Sequence, residues 1–423
     1  MTQRLRQLSP ADVASLRRNP VDDKVLERVQ RIVDGVRHGG DAALLQYRAE
    51  LDGMPAHEPI AYDKQAMKKA ADSLVREEIQ LLQRVAGRIR EFAKAQLACC
   101  QSMQVSVPGG AAGHEWAPVD AAGCYAPGGR YPLPSTILMT AAVARTAGVT
   151  RVVVASPNCS PVMLAAAHVA EADEFLAVGG AQAIAAMAWG TETIAPCDVL
   201  AGPGNRWVTA AKFAVSNIVR IDMLAGPSEL VIVADDSADP ANLAADLLAQ
   251  AEHDPHALPI LISLSPNILP LVNRELERQL ANLPTGDVAA QAIANGFSVL
   301  ASDVAEAGLL SDRLAPEHLQ LCVTDAARKR QYFHHYGAIF LGCKTAEVVG
   351  DYGLGPNHVL PTGGASRFTG GLSVATFLRQ RTWIEIQDLQ ESASIQSDSA
   401  FLARLEGLIA HERSAQRRLE SRQ

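Results

Sequence analysis

The stretch RVVVASPNCSPVMLAAAHVAEADEFLAV, residues 151–178, decides the fold class. It begins with a β-branched run at 151–155, continues with an alanine-rich apolar segment at 161–172, and ends with a second short apolar run at 174–178. Runs of about five residues suit buried strands, and the longer segment between them suits a helix. The stretch therefore predicts a strand–helix–strand unit, the building block of a parallel sheet.

The same alternation continues toward the C-terminus. Short apolar runs predict further strands at residues 199–201, 230–234, 258–264 and 337–341. Alanine-rich or amphipathic segments between them predict helices at residues 181–190, 207–216 and 240–253. Strands of about five residues that alternate with helices of about ten are typical of α/β proteins, so we expect a parallel-sheet α/β fold.

Both ends of the chain are predicted to be helical scaffold. Ser9 followed by Pro10 is a typical helix start, with a serine cap and proline in the first turn. Residues 63–96 form a charged amphipathic run, and residues 397–413 form another. The N-terminal run carries no recognisable catalytic motif.

Length and composition restrict the class of protein. The 423 residues allow two or three domains, and 48% hydrophobic with 20% charged residues is ordinary for a soluble globular protein. A net charge of −8 leaves no domain-scale basic surface, which argues against nucleic acid as a partner. Seven cysteines without a CxxC pair indicate neither a disulfide framework nor a thiolate zinc site. No signal peptide or membrane-spanning run is visible, so we expect a cytoplasmic protein without a membrane partner.

The usual nucleotide signatures are absent. No GxGxxG follows a strand, and no GxxxxGK[ST] occurs. Glycine-rich turns at 127–129, 179–180 and 202–204 could contact a phosphate through free backbone N–H groups. A turn glycine needed for its positive φ is the commoner explanation of each.

Two short segments place a histidine beside a polar or acidic side chain. Gln250 and His253 are three residues apart near the end of a predicted helix, which suits a zinc site but equally suits a polar helix terminus. Glu317 and His318 are adjacent and could work as an acid–base pair. As a lone dipeptide after Pro316, they could also simply start a helix.

Two further segments are candidates. The glycine-rich loop at 350–358 carries Asp351 and His358. It is a better site candidate than either of the two segments above, because loops on a rigid sheet often carry function. Glu406 and His411 lie near the C-terminus on neighbouring helical faces. In isolation they suit a solvated helix surface.

Taken together, the sequence closely resembles the histidinol dehydrogenase family over nearly its whole length. The resemblance is carried by ten ordered blocks: CYAPGG at 124–129, VGGAQAI at 178–184, GTET at 190–193, GPGN at 202–205, IDMLAGPSE at 221–229, QAEH at 250–253, APEHL at 315–319, GDY at 350–352, NHVLPT at 357–362 and EGLIAH at 406–411.

The resemblance implies a metal site and a chemistry. One Zn²⁺ per subunit would be bound by Gln250, His253 and Asp351, with His411 supplied by the partner subunit. His318 would be the general base in two successive oxidations, each of which passes a hydride to one NAD⁺. Glu317 would activate the water that hydrates the aldehyde between them.

Further contacts are implied in the same way. The substrate would be L-histidinol, an amino alcohol oxidised through histidinal to L-histidine in histidine biosynthesis. Besides the zinc ligands and the catalytic pair, its contacts or their supporting residues would be Ser228, His358 and Glu406. NAD⁺ would contact Tyr125, Gln182 and Asn205, in a domain that lacks the usual fingerprint.

For the fold, the resemblance implies an intertwined homodimer with two Rossmann-like domains and shared active sites. The expected divisions are a helical arm at 1–22, a discontinuous zinc and catalytic domain at 23–103 and 229–370, an NAD-binding domain at 104–228, and a helical tail at 371–423 exchanged with the partner. A catalytically silent scaffold on this fold is disfavoured, because every expected ligand is present.

One departure from the family pattern is consistent with a second substrate. The run Arg130-Tyr131-Pro132 replaces the small residues usual in the family at this point and resembles relatives that oxidise sulfopropanediol. A guanidinium there could pair with a sulfonate. Residues 353–356 and Ala375 also differ from the usual pattern. Because Ser228, Glu406 and His411 are retained, we favour histidinol.

Overall fold

The structure, a computed structural model, describes residues 4–15, 22–55, 58–128 and 131–420. The strands, numbered β1 to β15 in chain order, are Arg6–Leu8, Ala61–Asp63, Met103–Val107, Gly110–Pro118, Ala121–Tyr125, Arg151–Ala155, Glu174–Leu176, Val199–Ala201, Arg220–Ile221, Glu229–Ala234, Leu258–Ser263, Phe297–Leu300, His318–Cys322, Ala338–Leu341 and Leu378–Ile386.

The α-helices of the described residues, numbered α1 to α17, are Pro10–Ser15, Asp23–Tyr47, Lys64–Ser73, Arg76–Ala98, Pro134–Ile137, Val143–Thr146, Pro161–Val169, Gly180–Trp189, Arg206–Val215, Pro240–Ala251, Ile268–Leu280, Gly286–Asn295, Val304–Leu314, Ala326–Lys329, Val348–Tyr352, Ala393–Leu405 and Ile409–Glu420. Two π-helical turns, Arg48–Asp52 and Leu138–Ala142, each adjoin an α-helix.

The first sheet has six parallel strands in the order β1-β12-β11-β10-β13-β14. Its central strand β10 is apolar beyond its first residue because both faces are covered. Leu230 and Ile232 pack into the core beneath α10, α11 and α12, whereas Val231 and Val233 point to the opposite face and pack with α13. Two-residue alternation therefore divides this strand between two hydrophobic cores.

The second sheet also has six strands, in the order β2-β7-β6-β5-β8-β9. They are parallel except for β2, which runs antiparallel to β7. The chain continues from β5 to β6 on one side of β5, and β8 later pairs on the other side. Such a reversal opens a crevice at the carboxyl ends of the two diverging strands, where ligands of α/β proteins usually bind.

These two sheets confirm the predicted mixed α/β fold with parallel sheets. The strand–helix–strand unit expected from residues 151–178 is β6, α7 and β7. The predicted helix start also holds, since Ser9 Oγ accepts a hydrogen bond from the backbone N–H of Asp12 at 3.3 Å. Among the residues described, no helix has the length and apolar character that crossing a bilayer requires.

A third sheet was not expected from the sequence. It is antiparallel, with the order β15-β4-β3, and it joins Leu378–Ile386 to Gly110–Pro118 along nine residue pairs. Residues 371–423 are therefore not purely helical. In the same segment the predicted helix 397–413 is two helices, α16 and α17, separated at Gly407, whose φ of +76° breaks the helix.

The packing of residues 23–103 differs from the predicted grouping with 229–370. Val29 and Val36 of α2 are buried with residues of β6, α8 and α9, on one face of the second sheet. Met67 of α3 and Ile89 of α4 are buried on its other face. An amphipathic helix shows in sequence that it covers a sheet but not which sheet, so this assignment required the structure.

The N-terminal segment 1–22 also differs from a helical arm. Arg6–Leu8 forms the edge strand β1, which pairs in parallel with residues 297–299 of the first sheet. The helix that follows, α1, buries Val13 against the same sheet. Residues 16–21 lie outside the described part of the chain.

Candidate active site

The candidate site lies at the amino ends of neighbouring strands in the first sheet. Glu229 opens β10, directly after Ser228, and His318 opens β13, directly after Glu317. The two strands are parallel neighbours, with Leu230 opposite His318, so these side chains meet at one edge. Glu317 and His318 thus lead into a strand, and the alternative of a helix start is wrong.

Glu317 is buried and held by two hydrogen bonds. Its Oε2 accepts from Ser228 Oγ at 2.7 Å and from the backbone N–H of Glu229 at 2.8 Å. Burial raises the pKa of Glu317 well above the usual value, the two donors oppose this, and the charges of Glu229 and Asp351 raise it further. A carboxyl group of this kind is a stronger base toward water than an exposed one.

His318 is buried beside Glu317, and its ring orientation is fixed. Nδ1 lies 3.1 Å from the carbonyl oxygen of Glu229, which can only accept, so Nδ1 carries the proton. Nε2 is left with a lone pair, is buried, and has no hydrogen-bond partner among the described residues. Burial lowers the pKa of His318 to about 4, which keeps the ring neutral at physiological pH. This is a suitable state for a general base.

Asp351 faces His318 from the short helix α15. Its Oδ1 lies 3.6 Å from His318 Nε2. Glu347, one turn earlier in the chain, is also buried, and the ligand atoms of His318, Glu347 and Asp351 all lie within 4.8 Å of one another. Burial raises the pKa of Glu347 well above the usual value, as do the charges of Asp351 and Glu317. Buried carboxylates this close together favour a bound cation.

Gln250 lies in the last turn of α10, and His253 follows the end of that helix. Gln250 is fully buried, and neither its amide oxygen nor its amide nitrogen has a hydrogen-bond partner in the described structure. His253 is partly exposed, with Nε2 3.9 Å from Asp351 Oδ2. Because α10 ends at Ala251, His253 lies beyond the helix, not on its face as the predicted helix 240–253 required. His253 nevertheless lies close to Asp351. A crossover helix such as α10 runs back toward the amino ends of the strands, and Gln250 lies in its last turn.

His358 connects this edge to α5, a helix that packs with the second sheet. Its Nδ1 donates to the carbonyl oxygen of Asp351 at 3.0 Å, and its Nε2 lies 3.3 Å from Thr136 Oγ1 in α5. Burial lowers the pKa of His358. The predicted loop 350–358 therefore begins inside helix α15. It ends on His358, whose hydrogen bond to the carbonyl oxygen of Asp351 holds the backbone of that residue in place.

Glu406 and His411 are not brought to this edge by their own chain. Both are exposed, Glu406 at the end of α16 and His411 in α17. Within the residues described, no hydrogen bond or ion pair joins either of them to Gln250, His253 or Asp351.

The three residues expected to contact a cofactor lie at the carboxyl edge of the second sheet or in the helices that begin there. Tyr125 ends β5, and its hydroxyl accepts from the backbone N–H of Gly180 at 3.1 Å. Gln182 is buried in the first turn of α8. Asn205 caps α9, accepting from the backbone N–H of Trp207 at 3.0 Å. They follow β5, β7 and β8, around the crevice where the strand order reverses.

A glycine requirement shapes the same crevice. Gly202 follows β8 at a φ of +121°, and a Cβ there would overlap the carbonyl oxygen of Tyr125. Lys212, buried in α9, donates to the carbonyl oxygen of Gly202 at 2.6 Å and pairs with the buried carboxylate of Asp222. The turn 202–204 is thus held by a steric fit and an internal ion pair. Gly202 has the positive φ that the commoner explanation of a turn glycine supposes, and Gly204 does not.

Sequence reasoning missed two acidic residues of these sites. Glu347 belongs to the buried acidic group, and Asp52 accepts hydrogen bonds from the Gly179 N–H and the Gln182 amide. Neither lies in a motif, and each is far in sequence from most of its partners. The sequence offered only a weak signal for Glu347, an acidic residue beside the apolar pair at 348–349 and just before the candidate loop.

The fold and the site together define an α/β enzyme with a buried group of possible metal ligands at one sheet edge and a crevice where the strand order reverses at another. A family model described as "Histidinol dehydrogenase" matches residues 16–419 of this chain. The chain belongs to the histidinol dehydrogenase family.

Relatives and a solved structure agree. A histidinol dehydrogenase from Oleidesulfovibrio alaskensis is 42% identical, with 96% of each chain covered. One from Thermus thermophilus is 44% identical, with 93% of this chain and 94% of the relative covered. The crystal structure of histidinol dehydrogenase from Elizabethkingia anophelis matches with a TM-score of 0.91 at 31% identity, covering 99% of this chain and 98% of that one.

Proposed function

We propose that this chain is an L-histidinol dehydrogenase that oxidises L-histidinol through histidinal to L-histidine with two NAD⁺, in the cytoplasm. The observation that carries the proposal is the pairing of His318, a buried neutral imidazole with a free Nε2, with Glu317, a buried carboxylate of raised pKa, at one sheet edge. One residue accepts the proton of an alcohol, and the other accepts a proton from water. An alcohol-to-acid oxidation in two stages requires both functions.

The metal ligands we propose are Gln250, His253 and Asp351, with His411 of the partner subunit as the fourth. The residues fit zinc, because the buried Gln250 amide lacks any other partner among the described residues and His253 Nε2 lies near Asp351. When bound, the ion acts as a Lewis acid and holds the amino alcohol in place. Glu347 is the competing ligand, and zinc content distinguishes the two sets.

Within the first oxidation, the chain's own residues position and deprotonate the substrate. Nδ1 of His318 stays bonded to the carbonyl oxygen of Glu229, so the hydroxyl proton moves to Nε2. Removing that proton concentrates charge on the carbinol oxygen and promotes hydride transfer to NAD⁺. Ser228, His358 and the partner's Glu406 would contact the substrate or support its contacts.

Before the second oxidation, the aldehyde must gain water. Glu317 is fixed by Ser228 Oγ and the Glu229 N–H on one carboxylate oxygen, which leaves the other oxygen to accept a proton from that water. His318 then takes the hydroxyl proton of the hydrate, as in the first stage. The adjacency of the two residues lets both reach the same carbon atom.

For NAD⁺ we propose contacts with Tyr125, Gln182 and Asn205 in a Rossmann-like domain. The reversal of strand order between β5 and β8 supports this position, since nucleotides bind at such points. In our domain division, residues 104–228 carry the cofactor and 229–370 carry the zinc and the catalytic pair. Residues 23–103 are here assigned to the cofactor half, whose cores they help to form.

We also propose a homodimer in which the C-terminal segment reaches the partner's active site. The hairpin of α16 and α17 exposes five large apolar side chains, which a monomer would leave in water. They are Phe401, Leu402, Leu405, Leu408 and Ile409. His411 lies on the same hairpin, so burying this surface against a partner would bring that histidine near a second subunit.

A substrate panel tests the proposal against the alternative alcohol. Purified zinc-loaded enzyme is assayed for NADH with L-histidinol and, separately, with a sulfonated propanediol. We expect NADH from histidinol alone. NADH from the sulfonated diol but not from histidinol would overturn the proposal and point to Arg130, which lies outside the described residues.

A further inference from the structure

A half-buried carboxylate, Asp52, contacts residues of the proposed cofactor crevice and has no assigned role. Asp52 ends the π-helical turn Arg48–Asp52, and Gly53 follows at a φ of +68°. Its Oδ2 accepts from the backbone N–H of Gly179 at 2.9 Å, and Gln182 Nε2 donates to its Oδ1 at 3.1 Å and to Oδ2 at 3.2 Å. π-Helical turns often mark functional positions.

Asp52 determines which way the Gln182 amide faces. A carboxylate can only accept hydrogen bonds, so the NH₂ end of the amide turns toward Asp52 and the oxygen turns away. Gln182 is 1% exposed, and its Oε1 has no hydrogen-bond partner among the described residues. A buried amide oxygen without a partner is costly unless a ligand donates to it.

Asp52 also disfavours the binding of a phosphate at the N-terminus of α8. The N–H of Gly179 is bonded to Asp52, and the N–H of Gly180 is bonded to the Tyr125 hydroxyl. An incoming phosphate would have to displace this half-buried carboxylate and would be repelled by its charge. The turn 179–180, a phosphate candidate by sequence, is therefore already occupied by an internal anion.

We propose that Asp52 is a positioning residue of the cofactor site that acts through Gln182, holding the amide oxygen toward NAD⁺ as an acceptor. The inference rests on the proposed contact between Gln182 and NAD⁺. A carboxylate present only to cap α8 would need the Gly179 N–H alone. Its two contacts with Gln182 are the additional feature that a cap does not require.

A double-mutant cycle on NAD⁺ affinity tests the proposal. Isothermal titration calorimetry measures the Kd of NAD⁺ for the zinc-loaded full-length enzyme and for Asp52→Asn, Gln182→Met and the double variant. The Asp52→Asn change keeps the shape of the side chain, but its new NH₂ group can pair with Gln182 Oε1 and let the amide turn over. We expect each single variant to weaken binding about tenfold and the double variant to be no weaker than Gln182→Met alone.

Asp63→Asn is the matched control, because Asp63 caps α3 through the Ala66 N–H at 2.8 Å, outside the crevice. It should leave the Kd of NAD⁺ unchanged. If Asp52→Asn does not fold, as judged by thermal melting, Asp52→Glu keeps the charged acceptor and should bind NAD⁺ within about threefold of wild type while Gln182→Met does not.

Additive losses in the double variant, or an unchanged Kd in Asp52→Asn, would overturn the inference while leaving the proposed function intact. Failure of the wild-type enzyme to bind NAD⁺ would overturn both.

Discussion

His318 donates a hydrogen bond from Nδ1 to the backbone carbonyl oxygen of Glu229, across neighbouring strands, at 3.1 Å. The bond fixes the ring in the tautomer whose Nε2 is free to accept a proton. A strand backbone does not rearrange with protonation, so the imidazole is held in one orientation. Two carboxylates also lie near the ring at this sheet edge. Asp351 Oδ1 is 3.6 Å from Nε2 of His318, and the buried Glu317 lies beside Nδ1.

Replacing the base should reduce turnover without affecting binding. His318→Gln removes the proton acceptor, so we expect kcat for histidinol to fall about 100- to 10,000-fold, with zinc content and NAD⁺ affinity retained. Steady-state kinetics and calorimetry measure these quantities. His334→Gln is the control, since His334 is exposed and bonds only to Asp312 among described residues. Turnover within a factor of about two of wild type in His318→Gln would contradict the assignment.

The two oxidations should respond differently to Glu317. Glu317→Gln keeps the shape and can still accept from Ser228 and the Glu229 N–H, but it cannot take a proton from water. We expect oxidation of histidinal to slow about 100-fold or more while the first hydride transfer from histidinol slows much less. Single-turnover experiments starting from each substrate separate the two stages. Equal losses in both stages would show that Glu317 does not act in aldehyde hydration.

Zinc content should identify the ligands. Gln250→Ala removes a proposed ligand, so we expect zinc affinity to fall at least about 100-fold, as measured by competition with a chelator. Gln320→Ala is the matched control, because Gln320 is also buried in the first sheet but already bonds to Asp246 at 2.7 Å. Full zinc retention in Gln250→Ala, together with loss in Glu347→Gln, would assign the metal to His318, Glu347 and Asp351 instead.

Mixed dimers should reveal a shared active site. Asp351→Ala and His411→Ala are each expected to be inactive. Unfolding and refolding them together should restore about one quarter of wild-type activity, because about half of the dimers would contain one site with both ligands intact. The control mixture of Asp351→Ala with Gln250→Ala should stay inactive. Each subunit contributes both of these ligands to its own site, so every site in the mixed dimers would lack one of them. No recovery in the first mixture would contradict the exchange of His411.

The local alternation in the sequence predicted much of the fold correctly. Residues 151–178 form the expected strand–helix–strand unit, because buried strands and their crossover helix differ in length and composition. Pairing across long sequence separations was not predictable. The antiparallel match of β15 with β4 and the packing of α2 to α4 on the second sheet depend on contacts that no local pattern encodes.

The position of the candidate site was also not predictable from local sequence patterns. Crevices of parallel sheets usually lie at carboxyl strand ends, yet Glu317 and His318 stand at the amino end of β13. Only the family resemblance connected them to Gln250 and Asp351. The structure then places Asp351 3.6 Å from His318, whereas the contact of Gln250 with this group stays a prediction. His411 remains a prediction, because its own chain leaves it exposed.

The most direct test of the account is the yield of NADH per L-histidinol consumed by the wild-type enzyme at completion. Two successive oxidations predict a ratio of two, with L-histidine as the product. A ratio of one with histidinal accumulating would contradict the role of Glu317, and no NADH from histidinol would contradict the proposed function as a whole.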